Sequence, residues 1–333
     1  MKKLLIVIIS IILFLAACGD TNDGNSSNGN TTESPSESKT TENESIGTIV
    51  TSIYPLEFIV SEIAGDIIDV ETVVPAGADA HTYEPSTKEM INMASSDIFM
   101  YVGGGLEVFG ETLADTVKDE GVEPFALTNQ QDDLFASMED NDHDGHNHDH
   151  DEGEDHTQDN NELDLHFWLD PARMAQAGEL ILSELTTMYP DQAEQFQSNY
   201  ESFAEEMNEL DQTYEEALSD KSVDILVAHE AFGYWEREYG IEQHGIRGLS
   251  SSQNPSQREL QQLFDSFEEL DLNHVILEKN RDDSLATTIA NEFDFTVYEL
   301  HSLGSITEED IEQNNDYIDI MNENLDVLKQ TIQ

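Results

Sequence analysis

The sequence predicts an α/β protein with two lobes, each a mainly parallel sheet flanked by helices, joined by a long rigid linking helix. Three observations predict it. From Ile46 onward, short apolar runs alternate with amphipathic stretches, the pattern of βαβ units. That alternation gives way to a long helical pattern from Pro171 to Asp220, and a second alternating series follows.

In the first series the strands are expected near Thr48–Ile53, Ile68–Val74, Ile98–Val102 and Pro124–Leu127, where β-branched and aromatic residues cluster. Helices are expected near Pro55–Ala64, Thr87–Ser95 and Leu106–Lys118. The central helical pattern is interrupted at Tyr189-Pro190-Asp191, where Pro190 ends one helix and Asp191 is placed to cap the next. The linking helix, residues 191–218, would be roughly 43 Å long. The second series places strands near Asp224–Val227, Gln243–Gly248, His274–Leu277 and Thr296–Tyr298. Its helices fall near Phe232–Tyr239, Ser256–Leu270 and Asp283–Phe293, with a last one from Glu308 to about Thr331. The expected organisation is thus a leader at 1–17, a tether at 18–45, a first lobe at 46–170, a helical segment at 171–220 and a second lobe at 221–333. Two such lobes leave a cleft, and open α/β sheets bind ligands beyond the carboxyl ends of their strands.

Composition narrows the function. The 333 residues include 72 Asp+Glu against 13 Lys+Arg, a formal charge of −59. So few basic residues exclude nucleic-acid binding, which needs clustered cations to neutralise phosphates. Hydrophobic residues make up 38%, with 14 Phe and 10 Tyr, enough to bury a core despite the acidity. The single Cys excludes a disulfide framework and a thiolate zinc cluster.

That cysteine sits in a telling place. Lys2 and Lys3 precede a mainly apolar run, Leu4 to Ala17, ending at Cys18. Such a run would rise about 21 Å as a helix, short of a bilayer core of roughly 30 Å, and reads as an export signal. Leu15-Ala16-Ala17-Cys18 resembles a bacterial lipobox, which implies a lipid anchor on Cys18. The Ser-, Thr-, Asn- and Gly-rich residues that follow are expected to form a flexible tether, leaving the folded part outside the cytoplasm, anchored to the cell membrane.

The eleven His divide into groups. His81, His166, His229 and His301 lie after predicted strands or at lobe junctions, two in each half. Four imidazoles facing one cleft would suit tetrahedral Zn²⁺. His244 and His274 lie in or near strands and are read as structural or surface residues. The runs HTYEPS (from His81), DLHFWLDP (containing His166), VAHEAFGYW (containing His229) and GLSSSQNPS resemble those of the metal-receptor lipoproteins of bacterial ABC importers, in the zinc branch of a cluster that also contains manganese receptors. The resemblance covers about Gly47 to Leu328. It implies a receptor that captures Zn²⁺ between two lobes and delivers it to an ABC permease driven by its ATPase, as a monomer. His81, His166 and His229 fall on the family's first three ligand positions, and the His at the third favours zinc over manganese. Members carry Asp, Glu or water at the fourth. Here the alignment puts His301 there, with Glu299, Glu278 or water as alternatives. Glu230 and Asp170, beside ligands, are candidates to accept the second ring N–H of a coordinating His.

Residues 139–164 hold the other five His, His143, His146, His148, His150 and His156, among twelve Asp+Glu. The resemblance implies a metal-gathering loop, and several imidazoles on a flexible chain would bind Zn²⁺ weakly. An enzyme is the rival class. Gly233 stands where a HExxH zinc hydrolase starting at His229 would have its second His, and no nucleophile elbow, P-loop or dinucleotide fingerprint occurs. A manganese receptor or an adhesin of the same fold remains the nearer alternative.

Overall fold

The computed structural model describes residues 45–137, 163–219, 223–279, 281 and 283–331. The expected lipidation at Cys18, the tether, and the histidines at 143, 146, 148, 150 and 156 lie outside the described residues.

The first lobe begins with β1 (Thr48–Thr51), followed by α1 (Tyr54–Ala64) and β2 (Asp69–Thr72). Pro55 in the first turn of α1 has no N–H to leave unsatisfied, and Gly65, at φ 61°, ends the helix. Next come α2 (Thr87–Met93), β3 (Ile98–Tyr101), α3 (Gly110–Asp119) and β4 (Pro124–Ala126). Ser86 and Glu89 form a reciprocal capping box that starts α2. The four strands are parallel in the order β2-β1-β3-β4. After β3 the chain turns through Gly103, Gly104 and Gly105, all at positive φ, a conformation that Gly adopts at the least cost. Buried Glu107 braces this turn, accepting from the Ser52 hydroxyl and from the N–H groups of Val102 and Gly103.

Two short strands, β5 (Ala136–Ser137) and β6 (Leu163–Asp164), pair antiparallel and bring both ends of the His-rich stretch together. The chain then enters α4 (Pro171–Met188) and α5 (Ala193–Leu218). Asp170 caps α4, accepting from the N–H groups of Ala172 and Arg173. The expected Asp191 cap of the second helix is not formed. A 3₁₀ turn over Pro190–Gln192 leads into α5 instead. With 26 residues, α5 is about 39 Å long. Its buried face, from Phe196 through Phe203, Met207, Leu210 and Tyr214 to Leu218, follows helical spacing. It packs on α4 and reaches α1. Gly178 permits the close approach of α4 and α5, since a Cβ there would lie 2.8 Å from the Phe203 ring.

The second lobe contains β7 (Val223–Val227), α6 (Gly233–Tyr239), β8 (Ile241–Gly245), α7 (Gln257–Glu269), β9 (His274–Glu278), α8 (Ser284–Phe293) and β10 (Thr296–Leu300). Its sheet is parallel in the order β10-β9-β7-β8. The single last helix that the pattern suggests is two, α9 (Glu308–Gln313) and α10 (Tyr317–Thr331). Asn314 stands between them in the left-handed conformation, φ 57°, a helix end that Asn tolerates without Gly. One buried apolar cluster runs from Ile49 in β1 through α4 and α5 to Ile225 in β7 and Leu328 in α10. A separate cluster, including Leu226, Phe267 and Ile289, fills the space under α7 and α8. The central helices are therefore a shared spine, packed into the main core and not a free strut. No helix among the described residues is long and apolar enough to cross a membrane.

Candidate metal centre

The ends of several elements meet at one point. His81 lies in the loop after β2, His166 two residues past β6 and His229 two past β7. These three offer ring nitrogens that all lie within 4.8 Å of one another. Nε2 of His81 is 3.1 Å from Nε2 of His166. A tetrahedral ion with Zn–N bonds of about 2.0–2.1 Å would separate two ligand nitrogens by about 3.3 Å, so this pair needs little adjustment. The rings of His81 and His166 stand 5.6 Å and 5.5 Å from that of His229. His166 and His229 are only 2% exposed, and His81 is half-buried.

The outward nitrogens show which face is free for an ion. Nδ1 of His166 is 2.9 Å from Asp164 Oδ1, and Nδ1 of His229 is 2.5 Å from Glu278 Oε1. A carboxylate accepts a hydrogen bond there, which places N–H on Nδ1 and leaves the Nε2 lone pair facing the cluster. Nε2 of His229 is buried and makes no hydrogen bond, the signature of a polar atom meant for another partner. Each carboxylate is itself positioned. Asp164 Oδ1 also accepts the His166 backbone N–H at 3.0 Å, and its carbonyl accepts from Tyr234 at 2.6 Å. Glu278 is the last residue of β9, at the carboxyl end of its strand.

Electrostatics favours a neutral ring at His81, the form that a metal needs. His81 is pushed down to about 2, first by burial and then by the neighbouring His166 and His229. Burial would raise the Glu278 carboxyl, but the close contact and hydrogen bond with His229, with Arg281 nearby, hold it well below the usual carboxylate range.

His301, expected as the fourth ligand, lines the same cavity but is not in the group of converging donors. Its Nδ1 accepts the Leu303 N–H at 2.9 Å. Its Nε2 stands 3.3 Å from Asp310 Oδ2, a distance for an ionic contact, though not aligned as a hydrogen bond. In this arrangement one ring nitrogen accepts a backbone N–H and the other faces Asp310, so His301 does not join the three converging rings. Glu278, an alternative for that place, braces His229 instead. Asp170 is occupied as the α4 cap and by an ionic contact with Arg173 at 3.1 Å. Glu230 packs beside Gly245 and does not hold a coordinating ring. The carboxylates that meet the outward ring nitrogens of His166 and His229 are those of Asp164 and Glu278. His244 pairs with Asp224 at 2.8 Å, and His274 lies buried against Tyr298, consistent with structural roles.

The cavity at the cluster has a volume of about 40 Å³, room for an ion and a water but not for an organic substrate. It adjoins a larger basin of about 330 Å³ that shares His81 and His166 and is bordered by Leu106, Leu165 and Leu249.

Comparison with known proteins shows the family of the chain. At 33% identity over 287 residues, the chain is similar to the zinc-binding lipoprotein AdcA of Streptococcus pneumoniae, covering 85% of this chain and 55% of that protein. The chain thus spans about half the length of the AdcA relatives that it matches. The high-affinity zinc uptake system protein ZnuA of Bacillus subtilis is 29% identical over 329 residues, covering 98% of this chain and 97% of that one. Among solved structures, the Zn(II)-bound ZnuA-like domain of Streptococcus pneumoniae AdcA matches with a TM-score of 0.67 and 31% identity, over 86% of this chain and 98% of that domain. The laminin-binding protein Lmb of Streptococcus agalactiae, at 24% identity and a TM-score of 0.71 over 86% of this chain and 100% of that one, shares the fold. Residues 49–331 match the family model described as zinc-uptake complex component A, periplasmic, and the chain belongs to that family.

Proposed function

We propose that the chain is an extracytoplasmic receptor that captures Zn²⁺ with His81, His166 and His229 and delivers it to an ABC permease powered by its ATPase. The observation that carries this reading is the convergence of three imidazoles, two of them braced from behind by Asp164 and Glu278. An all-nitrogen donor set suits Zn²⁺ better than oxygen-loving Mn²⁺. The family and the relatives' names support zinc uptake. A water completes the tetrahedron, because His301 is turned to Asp310. In this reading Cys18 carries the lipid anchor, and His143, His146, His148, His150 and His156 gather zinc weakly before it reaches the cleft.

Zinc titration against a competing chelator tests the proposal. The full chain should show one tight site plus weaker ones. The H81A/H166A/H229A variant should lose only the tight site, and a tight site that survives in this variant would refute the assignment.

A further inference from the structure

Between the two lobes, one carboxylate does two jobs. Oδ1 of Asp79, in the loop after β2, accepts the backbone N–H of His81 at 2.9 Å. Its other oxygen, Oδ2, accepts the Ser251 hydroxyl at 2.8 Å and pairs with Arg281 Nη1 at 3.1 Å. Arg281 in turn donates from Nη2 to the Ser251 carbonyl at 2.6 Å. Ser251 and Arg281 belong to the second lobe, following β8 and β9, whereas Asp79 belongs to the first. The three residues therefore form a closed ring across the seam, completed through the Ser251 carbonyl, and the first-lobe member holds the peptide of a metal-binding residue.

Arg281 also lines the metal cavity. A guanidinium beside a cation site would repel a divalent ion unless a carboxylate neutralises it, and Asp79 does so. Two further bonds tie the same loop to the second lobe: Ser305 donates to the Ala78 carbonyl at 2.7 Å, and the Gly77 N–H donates to the Ile306 carbonyl at 2.9 Å. Neither of these touches a charged group or the backbone of His81.

We propose that Asp79, Ser251 and Arg281 form an interlobe clasp that positions His81 and governs how fast the metal leaves. With two of the three imidazoles almost fully buried, the ion escapes only when the seam opens or the His81 loop shifts. Both movements break the clasp. It acts on residence time more than on capture, because losing a hydrogen-bonded charge pair mainly changes the dissociation rate.

This inference rests on zinc binding at the three-histidine site, so the experiment separates the two. Zinc is loaded into the full chain and its release into excess chelator is followed by stopped flow. The slow phase is identified as the one absent from H81A. D79N, which keeps an oxygen for the His81 N–H but loses the charge, and R281Q should each speed that phase about tenfold, as expected for a partly exposed charge pair. The double variant should be little faster than either single one, and R281K should restore part of the slowness. Unchanged release in both single variants, or effects that simply multiply in the double variant, would overturn the clasp. If H81A loses no phase of the release, the site is overturned instead. Thermal melts of the metal-free variants exclude simple unfolding as the cause.

Discussion

Glu278 Oε1 lies 2.5 Å from Nδ1 of His229, and the two residues come from the carboxyl ends of neighbouring parallel strands. The carboxylate fixes the ring's tautomer and aims Nε2 at His81 and His166. Neutralising it should therefore weaken the metal site without touching a ligand. E278Q is expected to lower zinc affinity about 10–100-fold, measured by chelator competition, and to leave the far-ultraviolet circular dichroism spectrum unchanged. Wild-type affinity in E278Q would mean that the contact is structural only.

Proton linkage offers a second prediction. Three ordinary imidazoles would each exchange a proton for zinc at mildly acid pH. Burial and the two neighbouring rings hold His81 down to about 2, so it carries no proton to lose. Zinc binding at pH 5.5 should release about two protons or fewer, against about 2.7 from three ordinary imidazoles, read by calorimetry in buffers of different ionisation enthalpy on a chain whose five loop histidines are replaced. Release of about 2.7 would contradict the electrostatics of the site. For the metal-free protein the sign runs the same way. The unfolded chain takes up the His81 proton near pH 6.5 while the folded one refuses it until about 2, so this group lowers stability as pH falls below 6.5.

His301 separates a ligand from a brace. Its ring receives the Leu303 N–H and faces Asp310, and its backbone is held on both sides by Asn324. H301A should cost about 1–3 kcal/mol of stability, through buried groups left without partners, while reducing zinc affinity much less than H166A or H229A. A loss of affinity equal to theirs would restore His301 as a ligand.

Much of this was legible in the sequence, and its failures have physical causes. The parallel strands and the helices between them follow from apolar periodicity, capping boxes at Ser86 and Ser256, and Pro55 and Pro171 in first turns. The two-residue strands β5 and β6 are too short to show alternation. The break at Asn314 lacks the Gly or Pro that usually marks one. Three ligand candidates were found because they sit at strand ends in distinctive runs. His301 sits equally close to a strand end, and only the position of Asp310 reveals that its ring turns away. Asp164 went unnoticed, although its place two residues before His166 was a usable signal.

The acidic excess yields a further expectation. With a formal charge of −59, of which the His-rich stretch holds only part, the folded lobes repel themselves at low ionic strength. Raising sodium chloride from 0.05 to 1 M shortens the Debye length from over 10 Å to about 3 Å. The urea midpoint of the metal-free chain should rise across that series. A flat response would show that local pairing already neutralises the repulsion.

Anomalous diffraction at the zinc edge, from crystals grown with one equivalent of zinc, tests the central claim most directly. One strong peak is expected within about 2.0–2.1 Å of a ring nitrogen of each of His81, His166 and His229, with His301 still turned to Asp310. A principal peak bound elsewhere, or one held by fewer than those three rings, would contradict it.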